Sequence, residues 1–240
     1  MNGVPDFKIS TSDAGVEVQS WDKNSIEVRI STENIKINQE DGLRVTDHQS
    51  GNEVTVEVRD PRHFGFRFAI TRVREQVRVN VPRKANVRIV TGDGHILVAG
   101  VAGNFDLHSG DGHIEADGIS GSLRGQAGDG RIHVNGRFEQ LDLTTGDGSI
   151  EATVLPGSHI ASSWTIHTGD GHLNVRLPVN FAANLDMHTG DGHITLGLPV
   201  TVSGRAGSNS IRGTLNGGGG LLTLRSGDGS IHLEGANDTI

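Results

Sequence analysis

Apolar and polar residues alternate along most of this chain, and the alternation is punctuated by a recurring triplet, Gly-Asp-Gly. Seven triplets occur, with aspartates Asp93, Asp111, Asp129, Asp147, Asp170, Asp191 and Asp228. The first four lie 18 residues apart and the later intervals are 23, 21 and 37; a worn copy, Gly207-Ser208-Asn209-Ser210-Ile211, splits the last into 17 and 20. Three residues after each aspartate stands Ile96, Ile114, Ile132, Ile150, Leu173, Ile194, Ile211 or Ile231. Six residues before it stands Val87, Phe105, Leu123, Leu141, Trp164, Leu185, Val202 or Leu222. Alternate apolar positions on both sides of a glycine turn predict two short strands per repeat, each with one face buried. No helical period appears, so crossover helices are not expected.

A fixed short period is the signature of a solenoid. The expected fold is all-β: a single-stranded parallel β-helix with 18–23 residues per repeat, in which each apolar column runs through the interior as a ladder. Eight coils at a strand spacing of ~4.8 Å make a rod of roughly 40 Å. The triplet is expected to use the positive φ angles that glycine permits.

Residues 86–235 form the regular repeats. Residues 1–85 lack the triplet yet alternate in Val16-Glu17-Val18, Ile26 to Ile30, Ile35-Lys36-Ile37, Val54 to Val58 and Val77 to Val81, with turn signals at Asp41-Gly42 and Gly51-Asn52. They predict irregular coils or a cap of short strands, within one continuous domain over 1–240.

Composition narrows the function classes. Only 34% of residues are hydrophobic and 4% aromatic, which a solenoid tolerates because its core is a thin column. There is no cysteine, so neither a disulfide framework nor a cysteine metal site is available. A net charge of −8 argues against nucleic acid as partner, since phosphate binding needs a basic face. No apolar run approaches the ~18 residues of a membrane span. Met1-Asn2-Gly3-Val4-Pro5 does not read as a secretory signal, so the expectation is that any signal or anchor is absent or removed.

Val16 to Asp22, Val79-Asn80-Val81-Pro82, Val90 to Ile96, Leu215 to Gly220 and Ser226 to Ile231 together carry a family resemblance. On these segments the chain resembles a bacterial family of domains of unknown function named putative adhesins, which form β-solenoids. The resemblance implies a location at the cell envelope or outside the cell, with the cytoplasm as the alternative, and a protein or cell-surface glycan as partner.

The candidate chemistry lies on the outer side chains. Stacked Asp93, Asp111, Asp129, Asp147, Asp170, Asp191 and Asp228 resemble calcium-binding nonapeptide repeats but lack their density and spacing. Coulomb repulsion at ~4.8 Å is about 1 kcal/mol per pair in water, which hydrogen bonds from turn amides can offset. The expectation is structural aspartates accepting such bonds, with a weak cation ridge as the alternative. His95, His113, His172 and His193 follow the triplet, and His108, His167 and His188 precede it. This outer imidazole stripe suits Zn, Ni or Cu, but Arg131, Ser149, Ser210 and Ser230 interrupt it, and polar solvation of an outer face is the expected role. Glu115, Asp117, Asp142 and Glu151 show no catalytic grouping, and the largest insertion, around Leu155-Pro156-Gly157-Ser158, is too short to wall a cleft. Thr144, Thr145, Thr168 and Thr189 are too few for ice binding.

The resulting reading is a non-catalytic structural or surface-interaction module of adhesin type, with no cofactor and with no catalytic, cofactor-binding or metal-ligating residues assigned. The alternative is a carbohydrate-binding or carbohydrate-acting β-helix. The final coil, Ser230 to Glu234, is expected at an open end of the stack, covered by the tail or used for self-association.

Overall fold

The computed structural model describes residues 3–33, 36–39, 42–60, 75–203 and 207–236. Met1, Asn2, Ile35, Asp41 and the tail beyond Ala236, which the sequence motifs include, lie outside them. In chain order the strands are β1 (Asp6–Thr11), β2 (Gly15–Trp21), β3 (Glu27–Thr32), β4 (Arg44–Ser50), β5 (Glu53–Arg59), β6 (Glu75–Pro82), β7 (Asn86–Thr91), β8 (Ile96–Ala99), β9 (Ala102–Ser109) and β10 (Ile114–Ala127). They continue with β11 (Ile132–Thr145), β12 (Ile150–Val154), β13 (Ser163–Thr168), β14 (Leu173–Pro178), β15 (Ala183–Thr189), β16 (Ile194–Leu196), β17 (Thr201–Val202), β18 (Ser210–Leu215), β19 (Leu221–Ser226) and β20 (Ile231–Ala236).

Each Gly-Asp-Gly corner joins an upstream strand to a downstream one, and equivalent strands of neighbouring coils pair in parallel. The upstream ladder runs in space β5, β1, β7, β9, the second half of β10, the second half of β11, β13, β19, β15. The downstream ladder runs β6, β2, β8, the first half of β10, the first half of β11, β12, β14, β20, β16. The predicted columns are the registers of these ladders: Ile96, Ile114, Ile132, Ile150 and Leu173 are successive partners. Ile114, Ile132, Ile150, Leu123 and Leu141 are all 2% exposed or less.

The fold departs from a single parallel β-helix at both ends. β4 pairs antiparallel with β5 and β3 with β6; at the other end β18 pairs antiparallel with β15, and β17 with β18. The sheet is therefore mixed. A bare coil exposes a row of unpaired N–H and C=O groups, and a reversed strand laid along it satisfies them. The worn copy is part of this cover: Ile211 sits opposite Met187 in an antiparallel pair, and Val202 is 39% exposed. It is not a coil of the stack.

Coil order also departs from chain order. The last coil, β19–β20, lies between β13–β14 and β15–β16. The first, β1–β2, lies between β5–β6 and β7–β8. Ser230 to Glu234 is thus interior, with a hydrogen-bonded neighbour on each side, and the expectation of an open end there is overturned.

The triplet glycines serve packing rather than positive φ, which they do not adopt. A Cβ on Gly112 would lie 2.1 Å from the Gly94 carbonyl oxygen, and one on Gly130 would lie 2.1 Å from that of Gly112. Only a residue without a side chain lets successive corners approach this closely. Left-handed glycines mark the opposite corner instead, as at Gly100 (φ 66) and Gly118 (φ 60).

Candidate functional site

The corners build an acidic ridge. In space its order is Asp13, Asp93, Asp111, Asp129, Asp147, Asp170, Asp228, Asp191, following the order of the coils. Asp13 joins because Ser12-Asp13-Ala14 is the corner of β1–β2, and its Oδ1 accepts a hydrogen bond from the Asp93 amide at 3.2 Å. The seven triplet aspartates are exposed. None of their carboxylates is hydrogen-bonded or ion-paired to another described residue, so the expected bonds from turn amides are not formed. Exposure to water lowers the repulsion between neighbours to the small value expected at high dielectric.

The corner is held from inside by a column of small polar side chains that apolar alternation does not reveal. Two residues before each aspartate the side chain points inward and is Thr11, Thr91, Ser109, Ala127, Thr145, Thr168, Ser226 or Thr189 in spatial order. Ser109 Oγ donates to the Gly94 carbonyl at 2.9 Å, Thr145 Oγ1 to Gly130 at 2.9 Å, and Thr168 Oγ1 to Gly148 at 2.7 Å. Ser226 Oγ donates to Gly171 at 2.9 Å and Thr189 Oγ1 to Gly229 at 2.7 Å. Each hydroxyl ties its own coil to the preceding corner in space, satisfying a carbonyl that the turn leaves outside the ladder. Its sequence signal was a period of Ser and Thr in register with the triplets.

The histidine stripe is not continuous in space. Insertion of β19–β20 puts Arg225 between His167 and His188, and Ser230 between His172 and His193. Two imidazoles act instead as backbone acceptors: His113 Nδ1 accepts from the Arg131 amide at 3.1 Å, and His172 Nδ1 from the Ser230 amide at 3.0 Å. Among the described residues no three His, Asp or Glu side chains converge to hold an ion.

The acids outside the corners are dispersed. Asp117 accepts from the Asn135 side-chain amide at 2.8 Å. Glu151 lies 2.5 Å from Arg176 and 3.3 Å from His133, and Arg176 reaches Glu234 of the last coil at 3.5 Å. The Arg176 hydrogen bond holds the Glu151 carboxyl below the usual range, against partial desolvation, with smaller help from His133. Asp186 is likewise held low, first by its hydrogen bond to Arg225, at 2.8 Å, and to a smaller degree by Arg212. Glu115 and Asp142 are exposed on the outer faces of the downstream and upstream ladders.

A shallow trough of about 560 Å³ crosses several coils. Its floor uses small residues, Ala102, Gly103, Ser120 and Gly121, and its rims carry Lys84, Asn86, Asn104, Arg137 and Glu139. Gly157, from the insertion at Leu155 to Ser158, joins its lining. Arg137 Nε donates to the Pro156 carbonyl at 3.0 Å, and Ser158 Oγ accepts from the Phe138 amide at 3.0 Å. Beneath this bulge the widened core is filled by Trp164, whose ring centroid lies 6.3 Å from Phe138 and 5.3 Å from Phe181. Trp164 is fully buried and does not face the trough.

Among solved structures the chain is similar to a putative cell adhesion protein from Clostridium sporogenes, with 13% identity and a TM-score of 0.42 over 98% of this chain and 95% of that one. It is also similar to a putative adhesin from Parabacteroides merdae, with 12% identity and a TM-score of 0.44 over 96% and 92% of the two chains. A putative adhesin from Bacteroides fragilis gives 10% identity and a TM-score of 0.40 over 97% and 94%. No curated protein matches. Among the described residues no helix is long and apolar enough to cross a membrane. The model of the Toastrack DUF4097 family matches residues 5–210, and with that share of its length the chain belongs to this family.

Proposed function

We propose that the protein is a non-catalytic structural and surface-interaction module that meets its partner through its outer faces, at the cell envelope or outside the cell. The supporting observation is the disposition of the stack. Apolar side chains fill interior ladders, antiparallel strands line β5 and β6 at one end and β15 at the other, and contact falls to long polar faces edged by exposed carboxylates. That ridge gives one edge a negative potential, which steers cationic groups toward it and weakens with salt. The similarity to proteins named as adhesins agrees in kind with this reading.

The test uses the labelled full chain against envelope and soluble fractions of the producing cell. Saturable retention by the envelope fraction, reduced by salt and by Asp111→Asn with Asp129→Asn, supports the proposal. Retention no greater than that of an unrelated acidic protein defeats the interaction reading, and steady turnover of envelope glycan defeats the non-catalytic one. A carbohydrate ligand is the second reading, favoured by the Asn and Ser side chains along the trough. Glycan fragments would then shift the amide resonances of Asn104, Ser120 and Ser122, and unmoved resonances reject it.

A further inference from the structure

The last coil occupies its slot through contacts distant in sequence. Leu222 sits between Trp164 and Leu185, and Ile231 between Leu173 and Ile194. The coil follows a hinge in which Asn216 (φ 47), Gly217 (φ 86) and Gly218 (φ 83) turn the chain, and Gly219 and Gly220 complete a run of four glycines. The hinge itself is closely fitted, since a Cβ on Gly220 would lie 2.4 Å from Ile160 Cγ2. Beyond it every inward position of the coil repeats the common columns: Leu222, Leu224, Ser226, Ile231 and Leu233.

The coil is thus joined to the rest of the chain by a glycine hinge and held in its slot by the columns it shares with its neighbours. Withdrawing it leaves two parallel ladder edges facing each other across a gap one strand wide, each with unpaired backbone groups. Any chain bearing the same columns in the same direction refills the gap with the same hydrogen bonds. A second copy carries that segment by definition, so exchange replaces each lost contact with its equivalent, and only hinge geometry and concentration choose between the closed and exchanged forms. We infer that residues 219–236 are an exchangeable coil, and that the slot between β13–β14 and β15–β16 accepts this coil from a second copy to give a reciprocally swapped dimer. Self-association then proceeds by insertion within the stack and not by end-to-end contact of open coils.

The experiment separates slot from occupant. In the full chain, Leu222→Asp with Ile231→Asp places two carboxylates in the interior columns and expels the chain's own coil. A fluorescent peptide of residues 219–236 is then titrated, in the wild-type sequence and with the same two substitutions. The expected result is saturable binding of one wild-type peptide per chain, at least about tenfold tighter than the substituted peptide, with a rise in melting temperature. A folded variant that does not distinguish the peptides, because β13–β14 closes directly on β15–β16, overturns the inference. Where that variant fails to fold, deletion of Gly218 and Gly219 from the otherwise wild-type chain decides. The shortened hinge prevents the coil from returning to its own slot, so light scattering should show a dimer, and a monomer at every concentration overturns the inference.

Discussion

The column that ends in the buried hydroxyls has one gap, and the gap makes the role of those hydroxyls measurable. Ala127 stands where its neighbours are Ser109 and Thr145, so the Gly112 carbonyl lacks the hydroxyl donor that Gly94 and Gly130 have. Ala127→Ser should complete the column and raise stability by about 1 kcal/mol, the usual net value of such a bond. Thr145→Val keeps the shape and removes the donor, and should cost about 1–3 kcal/mol. Denaturant midpoints of both variants check the pair; equal and opposite shifts are not required, but the signs are. In the apolar column, Ile132→Ala should cost about 2–4 kcal/mol through lost transfer energy and a cavity. The apolar columns were readable because Ile, Leu and Val recur without helical period. The hydroxyl column was equally periodic, but Ser and Thr beside a turn are ordinarily assigned to the turn. The aspartates were placed correctly at exposed corners and wrongly expected to accept turn amides; alternation locates a carboxylate and says nothing of where its lone pairs go.

The coil is the level at which charge matters. The last coil is clamped from both sides by ion pairs, Arg225 to Asp186 on the upstream ladder and Glu234 to Arg176, itself held by Glu151, on the downstream one. Both Asp186 and Glu151 have lowered pKa values in the fold. A carboxylate with a depressed folded value contributes stability above its unfolded value of about 4 and loses it as pH falls through the folded value. Acid should therefore loosen this coil first. In melts from pH 7 to pH 2.5, Asp186→Asn should start less stable than wild type and lose less on acidification; parallel curves would remove the ion pair from the account. The N-terminal strands show the limit of motif reading at this scale. Phe7, Ile9 and Thr11 before Asp13, then Val16 and Val18 after it, occupy the same columns as any triplet coil. The coil went unrecognised because its corner reads Ser-Asp-Ala-Gly, with the flanking glycines absent.

Across the described residues, the arrangement is a parallel stack whose first and last coils in the chain are each drawn in by one place, with reversed strands lining β5 and β6 at one end and β15 at the other. The all-β solenoid character could be read from the period, whereas the order of coils could not. Leu222, Leu224, Ile231 and Leu233 suit any slot between two coils with the same columns, so nothing local to them names their neighbours. What decides is the cover: β17 and β18 must follow β15–β16 in the chain and lie outside it, so the residues after β18 have to return inward. The absence of cysteine makes the order directly measurable with engineered pairs. Thr165 and Thr223 are partners in adjacent strands, and Thr223 separates Thr165 from Asp186. Neighbouring parallel strands lie ~4.8 Å apart, within disulfide reach, whereas two spacings exceed the ~7 Å limit between Cα atoms. Under mild oxidation of the monomer, Thr165→Cys with Thr223→Cys should form an intrachain disulfide, and Thr165→Cys with Asp186→Cys should remain reduced. The opposite result would mean that the coils stack in chain order and would contradict the intercalated last coil.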